Sequence, residues 1–307
     1  MPYPQITVVL AGAFSLIASQ VFAQEDQIGG WHRALWEAER RGITWRLPIQ
    51  LVEDANGNGS PEFEVFGSAV YEVSWVDSAT GQTLASYGSS AGTRMHRRAS
   101  GDFDGDGDLE LIVGDNQYQV GGAIRAGRVL IFEGDGGVNE PCQEWLGTQT
   151  KQVLGSAVAA VDLNGSGSDD VVYADEFTVY ALQGHDFLPL WSTQLPRSIT
   201  GLEGTEDRTG DGVNDIFVYE YGGYRLIDGA RGTVVWEHDA KTAAYWYRRH
   251  LKSADFTHDG IADFAISTAN GSGSDGQMIA LDGATGERLW ARAEQEFRRV
   301  EQSGGAD

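Results

Sequence analysis

A single cysteine, Cys142, leaves this 307-residue chain unable to form an intramolecular disulfide or a thiolate metal cluster. With no histidine-containing motif beside it, Cys142 reads as buried apolar filler, not as a nucleophile. Positive charge is also scarce: 22 Lys and Arg against 45 Asp and Glu give a formal charge of -23. Nucleic acid needs a cationic stripe that displaces counterions, so it is excluded as a partner. The six histidines (32, 96, 185, 238, 250 and 258) fall in no metal or triad spacing, and there is no nucleophile elbow, so no catalytic residue is assigned. Long apolar runs are missing beyond the N-terminus. Ile6 to Ala18 is the exception, followed by Val21, Phe22 and Ala23 with small-residue spacing suited to cleavage before Gln24. Residues 1–23 therefore read as a signal peptide, although its first five residues lack the usual Lys or Arg. Ser15, Ser19, Gln20 and the short length argue against an anchor, so no transmembrane span is expected after cleavage. Secretion, to the extracellular space or the periplasm, is the expected localisation.

What the chain has in quantity is glycine, with 41 residues, and 41% hydrophobic residues in short runs between Gly, Asp and Asn clusters. That pattern predicts many short strands joined by tight turns. Self-comparison sharpens it. One nine-residue pattern, D-x-[DNTS]-x-[DNS]-G-x-x-[DE], begins at Asp54, Asp102, Asp162, Asp207 and Asp255, at intervals of 45 to 60 residues. Such a period suits one four-stranded propeller blade each. A β-rich run follows every loop, as in Leu109 to Val113 or Ile216 to Tyr219, then a second strand and a turn, such as Leu226-Ile-Asp-Gly229. The expected organisation is a linker with a short amphipathic helix over 24–44 (Trp31, Leu35, Trp36, Ala38) and an all-β β-propeller over 45–307. About five blades are recognisable, and three alternatives stay open: an incomplete ring from a fragment, completion by oligomerisation, or closure as a small ring.

The loops carry the chemistry. Ca²⁺ takes six to eight oxygens at about 2.3–2.6 Å, and alternate residues of a tight loop can supply them. Gly at position 6 permits the sharp turn. The candidate ligands are Asp54, Asn56, Asn58 and Glu62; Asp102, Asp104, Asp106, Glu110 and the Asp108 carbonyl; and Asp162, Asn164, Ser166 and Asp170. The last two loops add Asp207, Thr209, Asp211 and Asp215, and Asp255, Thr257, Asp259 and Asp263. The 102 loop is the richest. An EF-hand is excluded because its twelfth position needs Glu, and here Val65, Val113, Tyr173, Val218 and Ile266 stand there within strand-like runs. The competing view is that these are metal-free Asp/Gly turns. Five in register, each with a ninth-position carboxylate, weigh against it, because clustered carboxylates repel one another without a cation.

Asp102 to Gly134 resembles the FG-GAP repeat (VCBS-type) of integrin α-subunit propellers and their bacterial relatives, and Asp255 to Gly283 resembles it too. The resemblance covers roughly residues 54–307. It implies calcium loops in the hairpins between the first two strands of each blade, ligand binding on the opposite face, and a role in adhesion. Two features depart from it: related propellers commonly have seven blades, and Glu replaces Asp at position 9 in the first two loops.

Ala280 to Trp290 also matches A-x-D-x-x-T-G-x-x-x-W, the docking motif of quinoprotein propellers, with partial copies ending at Trp191 and Trp236. In that family the motif is structural. It keeps an enzyme alternative open, either a quinone-dependent dehydrogenase or a calcium-assisted polysaccharide lyase. The first reading is a binding scaffold for an extracellular glycan or protein. Its candidate contacts are the scarce basic and aromatic segments: Arg97 and Arg98; Tyr245, Trp246, Tyr247, Arg248 and Arg249; and Arg298 and Arg299.

Overall fold

The computed structural model describes residues 39–40, 43–44, 49–52, 54, 58–66, 72–88, 97–134, 141–239, 251–268 and 277–293. The signal-peptide stretch and most of the 24–44 linker lie outside these. Within the linker, β1 (Glu39–Arg40) and β2 (Ile43–Thr44) pair as a short antiparallel ladder. The remaining described residues form five four-stranded sheets, each an antiparallel meander in chain order.

The chain divides into two compact units. The first holds β3 (Ile49–Val52), β4 (Glu62–Phe66), β5 (Glu72–Val76) and β6 (Thr83–Gly88), together with Gly107–Leu109 and Phe132. Its core joins Val73, Trp75 and Tyr87, with the Trp75 and Tyr87 rings edge-on at 5.2 Å and Tyr87 5.8 Å from Phe132.

The second unit carries four sheets. They are β7 (Arg97–Gly101), β8 (Glu110–Asp115), β9 (Arg128–Phe132) and β10 (Gln143–Leu146); then β11 (Ala157–Val161), β12 (Asp170–Ala174), β13 (Thr178–Leu182) and β14 (Pro189–Gln194). β15 (Ile199–Thr205), β16 (Asp215–Glu220), β17 (Gly223–Ile227) and β18 (Val234–Asp239) follow, and β19 (Leu251–Ala254), β20 (Asp263–Thr268), β21 (Gln277–Leu281) and β22 (Arg288–Ala293) complete it. The leading strands β7, β11 and β15 lie side by side. Every residue of β8, β12, β16 and β17 is buried, so these strands are covered on both faces, as near-continuous apolar runs require. The fourth strands β10, β14 and β18 are mostly half-buried to exposed and form the outer edge. Cys142 leads into one of them. It is exposed, which corrects its reading as buried filler, and its Sγ–H lies 3.4 Å from the Ile131 carbonyl.

The core sits between neighbouring sheets. Phe103, Ile112, Val129, Val158, Val171 and Tyr173 fill one layer, and Val161, Leu163, Val172, Ile216 and Val218 the next. Phe217, Leu226, Trp236, Phe264 and Ile279 fill the third, with the Phe217 and Phe264 rings 4.8 Å apart. Successive meanders packed face to face through apolar layers are the blades of a β-propeller.

The third and fourth strands of four sheets share one irregularity. Register shifts fall at Trp75/Val76, Ala181/Leu182, Leu226/Ile227 and Ala280/Leu281, just before the hairpin turn. At those turns Gly184, Gly229 and Gly283 press on the preceding loop, where an added Cβ would meet the carbonyls of Asp169, Asn214 and Ala262 at 2.1, 1.8 and 2.1 Å. In these three blades the turn is thus seated on its own Asp-rich loop.

Candidate metal centre

Each Asp-rich loop lies between the first and second strands of its sheet, so all five occupy equivalent places in the blades. The glycine at position 6 has φ between 88° and 94° in every loop, at Gly59, Gly107, Gly167, Gly212 and Gly260. That is the left-handed backbone the turn demands. The first aspartate organises the loop from inside. Asp162 accepts the N–H groups of Gly165, Ser166 and Gly167 at 2.7 to 3.2 Å. Asp255 does the same for His258, Asp259 and Gly260, Asp207 for Gly210 and Gly212, and Asp54 for Asn58 and Gly59. The donors that hold this carboxylate also shape the loop around it.

The 102 loop gathers the densest charge. One carboxylate oxygen each from Asp102, Asp104 and Asp106 lies within 4.8 Å of the others, with Asp104 and Asp106 exposed and Asp102 half-buried. Oxygens on opposite sides of a calcium ion are about 5 Å apart, twice the bond length. The spacing fits, and an all-oxygen, solvent-accessible donor set suits a hard cation that completes its shell with water. Among the described residues this is the one group of three carboxylates so placed.

Elsewhere the loops find other partners. In the 207 loop, Asp211 is engaged by Arg231, whose Nη1 donates to Asp211 at 2.9 Å and to Asp228 at 2.7 Å. A fixed guanidinium supplies there the positive charge that a cation could supply. In the 162 loop, Asn164 donates to Asp170 at 3.0 Å and Ser166 meets Ser168 at 3.2 Å, so neutral side chains close the loop on themselves. In the 54 loop, Asn58 donates to Asp77 at 2.9 Å. Thr209 and Thr257 reach back to Asp207 and Asp255 at 3.3 and 3.4 Å, and Asp259 accepts the Ile261 N–H at 2.8 Å. Asp108 is exposed, and Asn56 lies outside the described residues.

The ninth-position carboxylates have a role that the pattern did not reveal. Glu62, Glu110, Asp170, Asp215 and Asp263 are all buried, at 0 to 4% exposure. One oxygen takes the N–H of the loop's second residue: Phe103 to Glu110, Leu163 to Asp170, Arg208 to Asp215 and Phe256 to Asp263, at 2.7 to 2.9 Å. In three blades the other oxygen takes the N–H of the hairpin glycine, Gly184, Gly229 or Gly283, at 2.9 to 3.0 Å. This carboxylate therefore clamps loop, second strand and next hairpin together. In those three blades the x-Gly dipeptide after the third strand was its sequence signal, since that glycine is both the seat and a donor.

Burial raises the carboxyls of Asp170, Asp215 and Glu220 above their ordinary range, against the pull of backbone N–H groups for the first two and of Arg225 for the third. For Asp207 and Asp255 burial also pushes upward, but the backbone donors together outweigh it and both end low. The hydrogen bond from Arg197 holds Asp239 low. A carboxyl raised on folding adds stability below its unfolded pKa and loses it as pH rises through the folded value; a lowered one does the reverse. The raised groups are buried and the lowered ones sit at the surface, where solvent screens them. In the presence of chelator, these buried groups are expected to make the unfolding midpoint climb as pH is lowered from neutral toward the unfolded carboxylate range. A scanning-calorimetry series showing a steady fall across that window contradicts this assignment.

Position 4 offers a second local test. Gly105, Gly165 and Gly210 stand there with φ of 80°, 71° and 77°, whereas the last loop holds His258 at φ 63°, exposed and without a ligand role. A left-handed non-glycine residue costs about 1–2 kcal/mol. The extra freedom glycine gives the unfolded chain returns about 0.4–1 kcal/mol of that. His258→Gly is therefore expected to stabilise the protein by up to about 1 kcal/mol, read from urea unfolding. A loss of stability would show that the histidine side chain is used.

Of the basic and aromatic candidates, Arg97 and Arg98 begin β7 at the end away from its Asp-rich loop and are half-buried. The Arg97 Nε donates to the Ser156 carbonyl in the neighbouring blade, so this guanidinium holds blade to blade. Tyr245, Trp246, Tyr247, Arg248, Arg249, Arg298 and Arg299 lie outside the described residues.

No family model matches the chain, and no curated protein matches it either. Solved structures do. The chain is similar to the V. cholerae biofilm matrix protein Bap1. The two share 16% identity at a TM-score of 0.51 over 81% of this chain, which spans 39% of that one. A likeness at that identity concerns the fold. BamB from Moraxella catarrhalis is 16% identical at a TM-score of 0.45, covering 82% of this chain and 67% of its own. BBS1N, solved in complex with ARL6DN, is 12% identical at 0.49, covering 74% and 65%. Among the described residues, no helix is long and apolar enough to cross a membrane.

Proposed function

We propose that the chain is a secreted, calcium-binding β-propeller that acts as a scaffold for binding an extracellular glycan or protein. The convergence of Asp102, Asp104 and Asp106 within 4.8 Å carries the calcium part of this reading. Those three carboxylates would hold the ion, the Asp108 carbonyl and water would complete its shell, and Glu110 would fix the loop from below. The ion's contribution is charge: it offsets the mutual repulsion of the cluster and stiffens a loop whose backbone is already turned for it.

Export is supported by the apolar run over Ile6 to Ala18, and a matrix or periplasmic setting would keep calcium available. The scaffold reading is supported by the blade architecture and by the indole-bearing strands, which bind blade to blade and do no chemistry. The FG-GAP resemblance of the loops points the same way. Calorimetric titration of the metal-stripped full chain with CaCl₂ tests the first part. Saturable uptake is expected, with its tightest phase removed by Asp104→Asn/Asp106→Asn; no heat in the wild type at either of two well-separated temperatures rules calcium out. Screening the calcium-loaded chain against immobilised glycans and extracellular proteins tests the second, with retention expected in calcium and loss in chelator. A chain that takes up calcium yet retains nothing would leave a purely structural repeat.

A further inference from the structure

In the 207 loop every carboxylate oxygen accepts a hydrogen bond. Asp207 takes the Gly210 N–H on one oxygen and the Gly212 N–H on the other, at 2.6 and 2.8 Å. Asp215 takes Arg208 and Thr209 on one and Gly229 on the other, at 2.7 to 3.2 Å. Asp211 takes the Val213 N–H at 3.1 Å and the Arg231 guanidinium at 2.9 Å. The same Arg231 nitrogen donates to Asp228 at 2.7 Å, so it bridges two carboxylates, and Asp228 is buried. A lone surface ion pair would hold little. This one spans from the loop to the turn that receives the preceding blade. There the Trp191 indole N–H donates to the Gly229 carbonyl at 2.7 Å, and a Cβ added at Gly232 would meet the ring at 2.5 Å.

The last blade has the same loop with different neighbours. Asp255, Thr257, Asp259 and Asp263 match Asp207, Thr209, Asp211 and Asp215 position for position. Its turn closes through the same bond, from Thr285 N–H to Asp282 at 2.8 Å as from Arg231 N–H to Asp228 at 2.9 Å. Two surrounding residues change: Thr285 stands where Arg231 does, and Phe256 where Arg208 does. The first and third blades have Thr80 and Asp186 at the turn position, so neither has a cation there. Arg208 is buried, and the charges of Glu206, Asp215 and Asp263 support its guanidinium against that burial. The 207 loop therefore sets three carboxylates against two guanidiniums, a formal charge of -1, whereas the last loop has -3. Among the described residues, its carboxylates do not converge as Asp102, Asp104 and Asp106 do.

We propose that Arg231 is the resident cation of the 207 loop, taking the place that calcium takes at the 102 loop. Calcium, which the FG-GAP resemblance implies at all five loops, does not fit here, because a fixed guanidinium already offsets the repulsion an ion would relieve. Arg231 thus sets which loops answer to calcium. It keeps this blade, and its joint to the preceding one, closed without metal. Only the comparison with the 102 loop rests on the calcium reading above.

Hydrogen exchange over the 207–215 segment and calcium counting by equilibrium dialysis test this on the full chain, in chelator and in CaCl₂. The variant is Arg231→Thr, because threonine closes the same turn in the last blade. The wild-type segment is expected to exchange equally fast in both conditions. In Arg231→Thr it should exchange about threefold faster in chelator, return to the wild-type rate in CaCl₂, and the chain should bind one more ion than wild type. A wild-type segment that slows in calcium would show the loop loaded despite Arg231. A variant that binds no further ion would reduce the guanidinium to an ordinary ion pair. Either result overturns the proposal. Asp104→Asn/Asp106→Asn reads the 102 loop separately in the same assay, so calcium binding there and the role of Arg231 can fail apart.

Discussion

Removing calcium from the loaded chain is expected to lower its unfolding midpoint by at least about 5 °C. One site saturated at a hundredfold excess over its Kd stabilises the folded state by about 2.7 kcal/mol. For a chain of this size each kcal/mol moves the midpoint by about 2 °C. If only the 102 loop binds, the drop stops near that value, and Asp104→Asn/Asp106→Asn abolishes it. If all five loops load, the contributions add toward about 25 °C, and the same variant removes only a fraction. Midpoints that coincide in calcium and chelator contradict metal binding at every loop. The size of the drop thus counts the occupied sites, and the bonds described above set the expectation. The 207 loop already has Arg231 on Asp211, and the 162 loop is closed by Asn164 and Ser166, so these two should gain least.

Asp215→Ala should cost more than any exposed loop substitution. The residue is fully buried and accepts three backbone N–H groups, from Arg208, Thr209 and Gly229. Each donor left buried without a partner costs about 1–3 kcal/mol. Losing a desolvated carboxylate returns part of that, while Arg208, itself buried, loses a nearby negative charge. A net loss of about 3–5 kcal/mol is expected in urea unfolding. Asp215→Asn keeps one acceptor but aims an amide N–H at a donor, and should fall between. The loss should be the same in calcium and in chelator, because the clamp acts without an ion. A variant within about 1 kcal/mol of wild type, or one whose loss appears only in calcium, would return this carboxylate to the role of a simple ligand.

Much of this was legible in the residues because it repeats over short distances. The nine-residue pattern fixes where each loop falls between two strands, and its glycine at position 6 is found in the left-handed region five times out of five. The Trp-bearing strands were legible too, through their constant distance from the preceding turn. The clamp was not. The sequence pattern places a carboxylate at position 9 equally well for a metal or for a backbone donor, and only packing shows its oxygens on Gly184, Gly229 and Gly283. Arg231 was missed for a similar reason: it stands 20 residues from Asp211, in a different turn. Cys142 was misread because its exposure depends on which strand of the sheet lies outermost, and no local pattern carries that. Arg97 illustrates the limit for binding surfaces. Read from the sequence as a ligand contact, it also donates to a carbonyl in the adjacent blade, a bond across 59 residues that no local pattern carries.

The most direct test of calcium in the hairpin loops is a crystal structure of the full chain grown in CaCl₂, with anomalous data collected. A peak bonded to Asp102, Asp104 and Asp106 at about 2.4 Å, with Glu110 still on the Phe103 N–H, is the expected result. Water, or no density, between those three carboxylates at saturating calcium would contradict it.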